Sequence, residues 1–340
     1  MLYYGPSKCI MKLIGAWCPV LTSYNEATKM NVLNFETNNA QNVTSLNHAA
    51  GVLFPALSDK TDFNAVAEPI YCKNHETGTA QKIDKSIGRV IRRTDNYNEL
   101  GIVGARYGIA PNKPIFDMVC EGAEATLPRQ ALQDIQLKEF ASYGGQYTRF
   151  ELVFPGLGAD IRQLNNNSTQ LLFRVGVSNS FNGSGSVRVM AGAYDLVCTN
   201  GMIVGEAEKK AARHTSGYTP KIFAGFIETE CAKYLERVRT WQAWARNEIR
   251  PEQAEQALND AGMSGRRVAS MMTQFEAEAA TRGRTVWALY SALTFYSSHN
   301  SERFGVRNSG NVDNEAVTLD QREREVSRVI GSEAWARLAA

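Results

Sequence analysis

Apolar residues recur along the chain with two different periods, which separates a strand-rich part from a helical part. Between residues 148 and 198, three runs place apolar side chains at every second position, as Phe150, Leu152 and Phe154 illustrate. A period of two predicts antiparallel strands with one buried face. After residue 219 the spacing becomes helical. It predicts helices over 222–250, from 251 onwards, over 264–280, over 286–298 and over 319–339.

A β-hairpin is predicted upstream of these strands. Residues 87–93 and 100–107 have strand-like composition and flank the turn-prone sequence Asp95-Asn96-Tyr97-Asn98. Residues 179–185 contain Asn-Gly, which predicts a second tight and exposed hairpin loop.

Two short helices are predicted between the hairpin and the strands. The patterns 114–122 and 128–143 each begin with a proline, which the first turn of a helix accepts. The fold class is therefore α+β, with an antiparallel β-sheet core and hairpins followed by a helical C-terminal part. Three regions are expected: a mixed region 1–80, a β-rich core 81–219 and a helical region 220–340.

Composition limits the kinds of site that the chain is expected to contain. Of the 340 residues 44% are hydrophobic and 21% are charged, a balance typical of a folded chain. The net charge is +2, so any contact with nucleic acid requires a local basic patch. Six cysteines are scattered, which suggests buried thiols, and four histidines lie far apart without ligand spacing. We therefore predict no metal and no cofactor.

The compartment expected from the sequence is the cytoplasm. No run of about 18 apolar residues is present, so a membrane-spanning helix and a membrane partner are not predicted. The first 20 residues lack acidic side chains, but Gly5, Pro6 and Pro19 interrupt them, which is atypical of a signal peptide.

The most basic segment is 82–113, with a net charge of +4 on the predicted hairpin. Arginines for phosphates and aromatic rings for bases are how proteins hold single strands without reading sequence. The alternative is an edge strand whose charges only prevent aggregation. The candidate nucleic-acid-binding residues here are Lys82, Lys85, Arg89, Arg92, Arg93, Arg106 and Tyr107.

A second candidate surface combines the strands with a later basic segment. Phe181, at the predicted loop tip, is expected either to stack on a base or to fold back onto the sheet. The remaining candidates on this surface are Arg149, Arg174, Arg188, Lys209, Lys210 and Arg213.

Catalysis is not predicted. Cys198 and His214 could form a thiol–base pair, but no third group that would orient them is identifiable, and a cysteine at a strand end is usually buried. The carboxylates do not cluster as a two-metal nuclease requires. Trp241 fits the apolar stripe of its helix, and the alternating charges of 322–325 suggest a solvated helix face.

The run 194–202, with Cys198-Thr199-Asn200-Gly201 at its centre, resembles a phage/plasmid-like protein family of unknown function found in phages, prophages and plasmids. The resemblance extends over roughly residues 82–299. That family often has His-Asp before the Gly-Ser of the loop, whereas this chain has Phe181-Asn182, so a role for that histidine does not transfer. The other matching segments are 93–95, 100–103, Tyr107, 177–180, 182–184, 214–215, 287–292 and His299.

The resemblance implies a mobile-element setting in the host cell cytoplasm and no established activity. Together with the basic hairpin it leads to the hypothesis of a sequence-tolerant single-stranded-DNA-binding phage protein accessory to transcription, replication or recombination. Phage RNA polymerase or replication proteins are the protein partners that this hypothesis suggests. One alternative is a homo-oligomeric strand-annealing protein, and another is a protein-binding antirestriction or host-takeover factor without DNA affinity.

Overall fold

The computed structural model describes residues 46–47, 53–195, 200–202, 209–223, 225–299 and 314–340. Residues 42–340 cluster as one compact unit. The strands are β1 (Leu46–Asn47), β2 (Leu53–Phe54), β3 (Ala65–Pro69), β4 (Tyr71–Lys73), β5 (Ala80–Lys82), β6 (Arg89–Arg93), β7 (Glu99–Val103), β8 (Gln136–Ser142), β9 (Tyr147–Arg162), β10 (Ser168–Ser180), β11 (Val187–Asp195), β12 (Asn200–Met202) and β13 (Lys209–Ala212). The helices are α1 (Asn112–Thr126), α2 (Phe226–Trp244), α3 (Pro251–Asp260), α4 (Gly265–Arg282), α5 (Val286–Ser298), α6 (Glu315–Ile330) and α7 (Glu333–Ala339).

A six-stranded antiparallel sheet forms the centre of the fold. Its strands lie in the order β12-β11-β10-β9-β8, and β13 pairs with the same edge of β11 that β12 uses. The predicted α+β class is confirmed, because antiparallel sheets are followed by a mainly helical C-terminal part. The three regions expected from the sequence each add side chains to one hydrophobic core, for example Phe54, Phe150 and Trp241.

The apolar face of this sheet packs against helices α1 and α2. Side chains alternate between the two faces of a strand, so every second residue of β9 and β10 points into this core. Phe116 of α1 meets Phe150 edge-on, with ring centroids 5.7 Å apart, and Tyr234 of α2 meets Phe173 at 5.2 Å. Trp241, predicted as core from its helical stripe, is fully buried.

The opposite face of the same strands is buried as well, yet it carries charges. Arg149 and Glu151 of β9 and Arg174 of β10 are each at most 6% exposed. Glu323 of α6 closes the group, because it accepts from Arg149 at 2.6 Å and also bonds Arg174. Glu151 accepts from Arg149 at 2.6 Å and from Arg174 at 3.0 Å. We call these four alternating charges the ion quartet.

Helix α6 is attached to the sheet by a second set of charges. Asp320, one turn before Glu323, bonds Arg188 of β11 and also Arg324 at 2.9 Å. The expectation of a solvated charged face on this helix is therefore wrong for Arg322 and Glu323, which are both 3% exposed. Charges that leave water need partners, and the sheet supplies those of Glu323.

Two helix predictions differ from the structure. Residues 128–143, predicted as a helix, form a 3₁₀ turn at Arg129–Leu132 and then strand β8, because Gln136–Ser142 pairs in register with β9. Tertiary pairing overrides the local helical pattern there. The predicted helix 319–339 is interrupted after Ile330, where the Ser332 hydroxyl accepts from the backbone N–H of Trp335 at 3.1 Å and starts α7.

The predicted hairpin is confirmed as β6 and β7, and β3 adds a third strand to it. This small sheet has its own apolar cluster, formed by Phe63, Ile91, Leu100, Val103 and Phe181. Strands β4 and β5 form a separate hairpin that is exposed along both strands.

None of the described helices is long and apolar enough to cross a lipid bilayer. Among the described cysteines, Cys120 is buried, Cys231 is half-buried and Cys72 is exposed, so the expectation of buried thiols fails for Cys72. Cys9, Cys18 and Cys198 lie outside the described residues.

The ion quartet makes a stability prediction. Replacing Glu323 by Gln removes one of the two carboxylates of the quartet. The two buried guanidinium groups of Arg149 and Arg174 then share the carboxylate of Glu151 alone. We expect Glu323→Gln to lower the free energy of unfolding by about 3–5 kcal/mol, measured by urea denaturation at pH 7.

The matched control is Glu333→Gln on α7, where the side chain is 97% exposed and lies 3.7 Å from Arg337. It should change the free energy of unfolding by less than about 0.5 kcal/mol. Equal losses in the two variants would show that the quartet does not hold α6 on the sheet.

Candidate nucleic-acid interface

Three arginines of the predicted hairpin surface are already engaged within the protein. Arg92 lies 3.1 Å from Glu68 and 3.0 Å from Glu99. Arg93 lies 2.6 Å from Asp95 and is 7% exposed. Arg89 donates to the backbone carbonyls of Ala105 and Tyr107, both at 3.0 Å. These groups have little capacity left for phosphate.

The second predicted surface is corrected by the structure. Arg149, Arg174 and Arg188 lie on the charged face under α6, where carboxylates neutralise them. Phe181 is fully buried, so of the two expected alternatives its ring folds back into the protein and offers no exposed face for a base, which removes it from the candidate nucleic-acid-binding residues. Its ring packs on Phe63, with centroids 4.9 Å apart, because the small sheet folds over the end of β10.

The structure nevertheless joins the remaining parts of the two predicted surfaces. The rings of Tyr107 and His214 are stacked with centroids 4.9 Å apart, and Tyr218 continues the stack 6.4 Å from His214. The loops that carry them touch at Gly108, where a Cβ atom would lie 2.1 Å from the carbonyl oxygen of Thr215. Only glycine permits this close approach.

On each of the two loops an arginine comes directly before a ring of the stack in the sequence. Arg106 precedes Tyr107 and Arg213 precedes His214, and both side chains are exposed. Neither has an ion-pair partner among the residues that the structure describes. We call Arg106, Tyr107, Arg213, His214 and Tyr218 the ring–arginine site.

Hydrogen bonds hold two of the three rings in place. The Tyr107 hydroxyl donates to the Ser180 carbonyl at 2.7 Å. His214 Nδ1 lies 3.2 Å from the Gly108 carbonyl, so a neutral ring donates from Nδ1. His214 Nε2 and the Tyr218 hydroxyl are buried and have no partner among the described residues. Hydrogen bonds therefore fix the rings of Tyr107 and His214, whereas two buried polar atoms of the stack have no partner among the described residues.

Burial sets the charge of these rings. Desolvation lowers the pKa of His214 below its ordinary value and outweighs its hydrogen bond to Gly108. Desolvation also raises the pKa of Tyr107 and Tyr218. All three rings are neutral at pH 7, so the positive charge of the site comes from the arginines.

None of the four predicted lysines is counted in this site. Lys210 on β13 is half-buried, and the side chain of Lys209 lies outside the described residues. Lys82 and Lys85 are exposed on and after the β4–β5 hairpin. Lys82 stands opposite Tyr71, whose side chain is 60% exposed, so this hairpin also combines a cation with an accessible ring.

Sequence reasoning missed Tyr218 and Tyr71. Tyr218 follows His214 by four residues in a loop, where no periodicity identifies a shared surface. Tyr71 belongs to a short strand in the region 1–80 that the pattern left unassigned. Cys198, considered with His214 as a thiol–base pair, lies outside the described residues. Among the described residues no group of histidine, cysteine and carboxylate side chains could hold a metal ion.

The buried His214 makes stability depend on pH. In the unfolded chain His214 gains a proton below about pH 6.5, whereas in the folded protein its lowered pKa resists this. The stabilisation is therefore complete above pH 6.5 and declines as the pH falls. Between pH 6.5 and 5.5 the wild type should lose more unfolding free energy than His214→Gln, by at most about 1 kcal/mol, measured by urea denaturation.

His75→Gln is the control for this comparison, because His75 is exposed. That variant should follow the wild-type pH profile. A His214→Gln profile parallel to the wild type would mean that His214 is not buried in its neutral form.

A family model described as "Domain of unknown function (DUF932)" matches residues 99–328, more than half of the chain. The matched range begins in β7 and ends in α6, so it includes the six-stranded sheet and the ring–arginine site. No curated protein and no solved structure matches the sequence. The match confirms the resemblance to a family of unknown function: the chain belongs to the DUF932 family.

Proposed function

We propose that the protein binds single-stranded DNA with little sequence preference, through the ring–arginine site. The observation that carries this proposal is that Arg106 and Arg213, two exposed arginines without carboxylate partners among the described residues, directly precede two stacked rings in the sequence. Single-strand-binding proteins combine these two features, a cationic path for phosphates and aromatic faces for bases.

The geometry favours single strands over duplex DNA. Tyr107 and Tyr218 are the outer rings of the stack, and both residues are half-buried and also pack against hydrophobic clusters, so a base would contact the part of each residue that is exposed. A base can stack on such a ring only where it is not already paired and stacked in a duplex. Stacking contributes roughly 1–3 kcal/mol per base and tolerates any base.

The β4–β5 hairpin offers a second set of residues that could contact the same DNA strand. Lys82 and Lys85 are exposed, and Tyr71 offers a ring beside Lys82. The buried Arg149, Arg174 and Arg188 take no part, because a phosphate would have to displace a carboxylate from each. The proposed site is therefore smaller than the one expected from the sequence.

The mobile-element resemblance supports an accessory role in phage transcription, replication or recombination, with phage RNA polymerase or replication proteins as partners. A strand-annealing protein would bind DNA through the same site and would in addition form rings or filaments. Light scattering with an annealing assay distinguishes these two roles.

The DNA-binding proposal is tested with the double variant Arg106→Gln/Arg213→Gln. Loss of two phosphate contacts should reduce the slope of log K against log salt by roughly 1.4 for an oligo-dT strand, and affinity should fall at every salt concentration. Fluorescence anisotropy at several salt concentrations measures both effects.

The double variant Arg246→Gln/Arg266→Gln is the matched control, since both side chains are exposed and the change in net charge is the same. It should keep the wild-type slope. Equal slopes in both double variants, or equal affinity of the wild type for single-stranded and duplex DNA, would contradict the proposal. A protein with no DNA affinity would instead fit a protein-binding factor.

A further inference from the structure

A polar cavity of about 350 Å³ lies beside the ion quartet, on the face of the sheet that α6 covers. Its walls come from strands β8 to β11, from the end of α5 and from α6. This volume is at the lower end of the range for sites that enclose small molecules. The cavity is separate from the ring–arginine site, because the two share no residue.

Lys138 is the unusual residue of this cavity. It stands directly opposite Glu151 in the pairing of β8 with β9, and its Nζ lies 3.5 Å from the centroid of the Tyr194 ring. No hydrogen-bond acceptor for this ammonium occurs among the described residues. The ring offers a weak cation–π contact in place of a carboxylate.

The charged groups that line the cavity differ in whether they have an ion-pair partner among the described residues. The ion quartet contributes two positive and two negative groups, which neutralise each other. Glu139 also lines the cavity, but its carboxylate accepts from the Ser58 N–H at 3.0 Å and bonds Thr61. Lys138 is therefore the cation of the cavity lining whose ammonium has no ion-pair partner among the described residues.

Burial lowers the pKa of Lys138 to about 8 and outweighs the attraction of Glu151. The group is thus charged at pH 7, yet it loses its proton well below the range of a surface lysine. The other charged and titratable groups that line the cavity are Glu139 on β8, Arg149 and Glu151 on β9, Arg174 on β10, Tyr194 on β11, His299 at the end of α5 and Glu323 on α6.

We propose that this cavity is a binding site for a small organic monoanion, whose carboxylate contacts the ammonium of Lys138. A single negative charge pairs with the one ammonium of the lining that lacks an ion pair among the described residues, whereas a second negative charge on the ligand would have no such partner. The rings of Tyr194 and Phe140 and the side chain of Leu319 provide apolar contact for the rest of the ligand. The guanidinium groups remain with their glutamates.

Isothermal titration with benzoate and benzamide tests this site, because the two differ mainly in charge. Benzoate should bind saturably at pH 7 and benzamide should not. The benzoate affinity should fall about tenfold between pH 7 and pH 9, as the protonated fraction of Lys138 falls. A surface ammonium group would remain charged over this range.

Lys138→Met removes the charge and should lower the benzoate affinity at least about tenfold without loss of thermal stability, since burying a charge is itself unfavourable. Lys221→Met, at an exposed lysine outside the cavity, should bind benzoate like the wild type. Acetate and inorganic phosphate complete the panel, and phosphate should bind more weakly than benzoate.

Three results would overturn the site: no saturable binding by any of the three anions, equal binding of benzamide and benzoate, or a wild-type benzoate affinity that is constant from pH 7 to pH 9. The pH series uses the unmodified protein, so the test does not depend on the folding of Lys138→Met. None of these results bears on DNA binding.

Discussion

The ion quartet between the central sheet and helix α6 is the interaction on which the arrangement of the protein depends. Arg149 and Arg174 stand on a sheet face that is closed to water, so their charges require carboxylates at short range. One of these, Glu151, is on the sheet itself, and the other, Glu323, is brought by α6 from 172 residues further along the chain. Burial alone would raise the pKa of Glu151, but the two guanidinium groups outweigh it and hold that pKa below its ordinary value. The charges on the buried face of the sheet are therefore neutralised only when helix α6 packs against it.

The ion pairs of the sheet determine which basic residues are able to contact a ligand. Arg149 and Arg174 on the strands are buried with carboxylate partners, whereas Arg106 and Arg213 are on loops and are exposed. The contact of Gly108 with Thr215 brings these two loops together. The same charged face leaves Lys138, which lines the cavity, without an ion-pair partner among the described residues. One electrostatic arrangement thus accounts for the small size of the proposed DNA site and for the proposed anion site.

Part of the fold could be predicted from apolar periodicity. Strands β9, β10 and β11, the β6–β7 hairpin and helix α5 follow from alternating or helical apolar positions. The charged face could not be predicted in this way, because buried arginines have the same letters and the same spacing as exposed ones. Their partners Glu323 and Asp320 are distant in sequence, and a helix with alternating charges is typical of a solvated surface.

The wrong prediction for strand β8 explains why the cavity around Lys138 could not be predicted from the sequence. With residues 128–143 predicted as a helix, Lys138 could not be placed beside Glu151 or over Tyr194. For the ring–arginine site, Arg106, Tyr107 and Arg213 were all named from the sequence, but they were assigned to two surfaces. Their convergence depends on a loop contact at a glycine, for which one sequence offers no signal.

The central claim is that the arginines of the sheet are engaged internally while those of the ring–arginine site are free. Arginine modification by phenylglyoxal, followed by mass spectrometry with and without oligo-dT, tests it most directly. Arg106 and Arg213 should react rapidly in the folded protein and become protected by oligo-dT, and Arg149 and Arg174 should react only after unfolding. Rapid modification of Arg149 and Arg174 in the folded protein, or oligo-dT that protects neither Arg106 nor Arg213, would contradict the account.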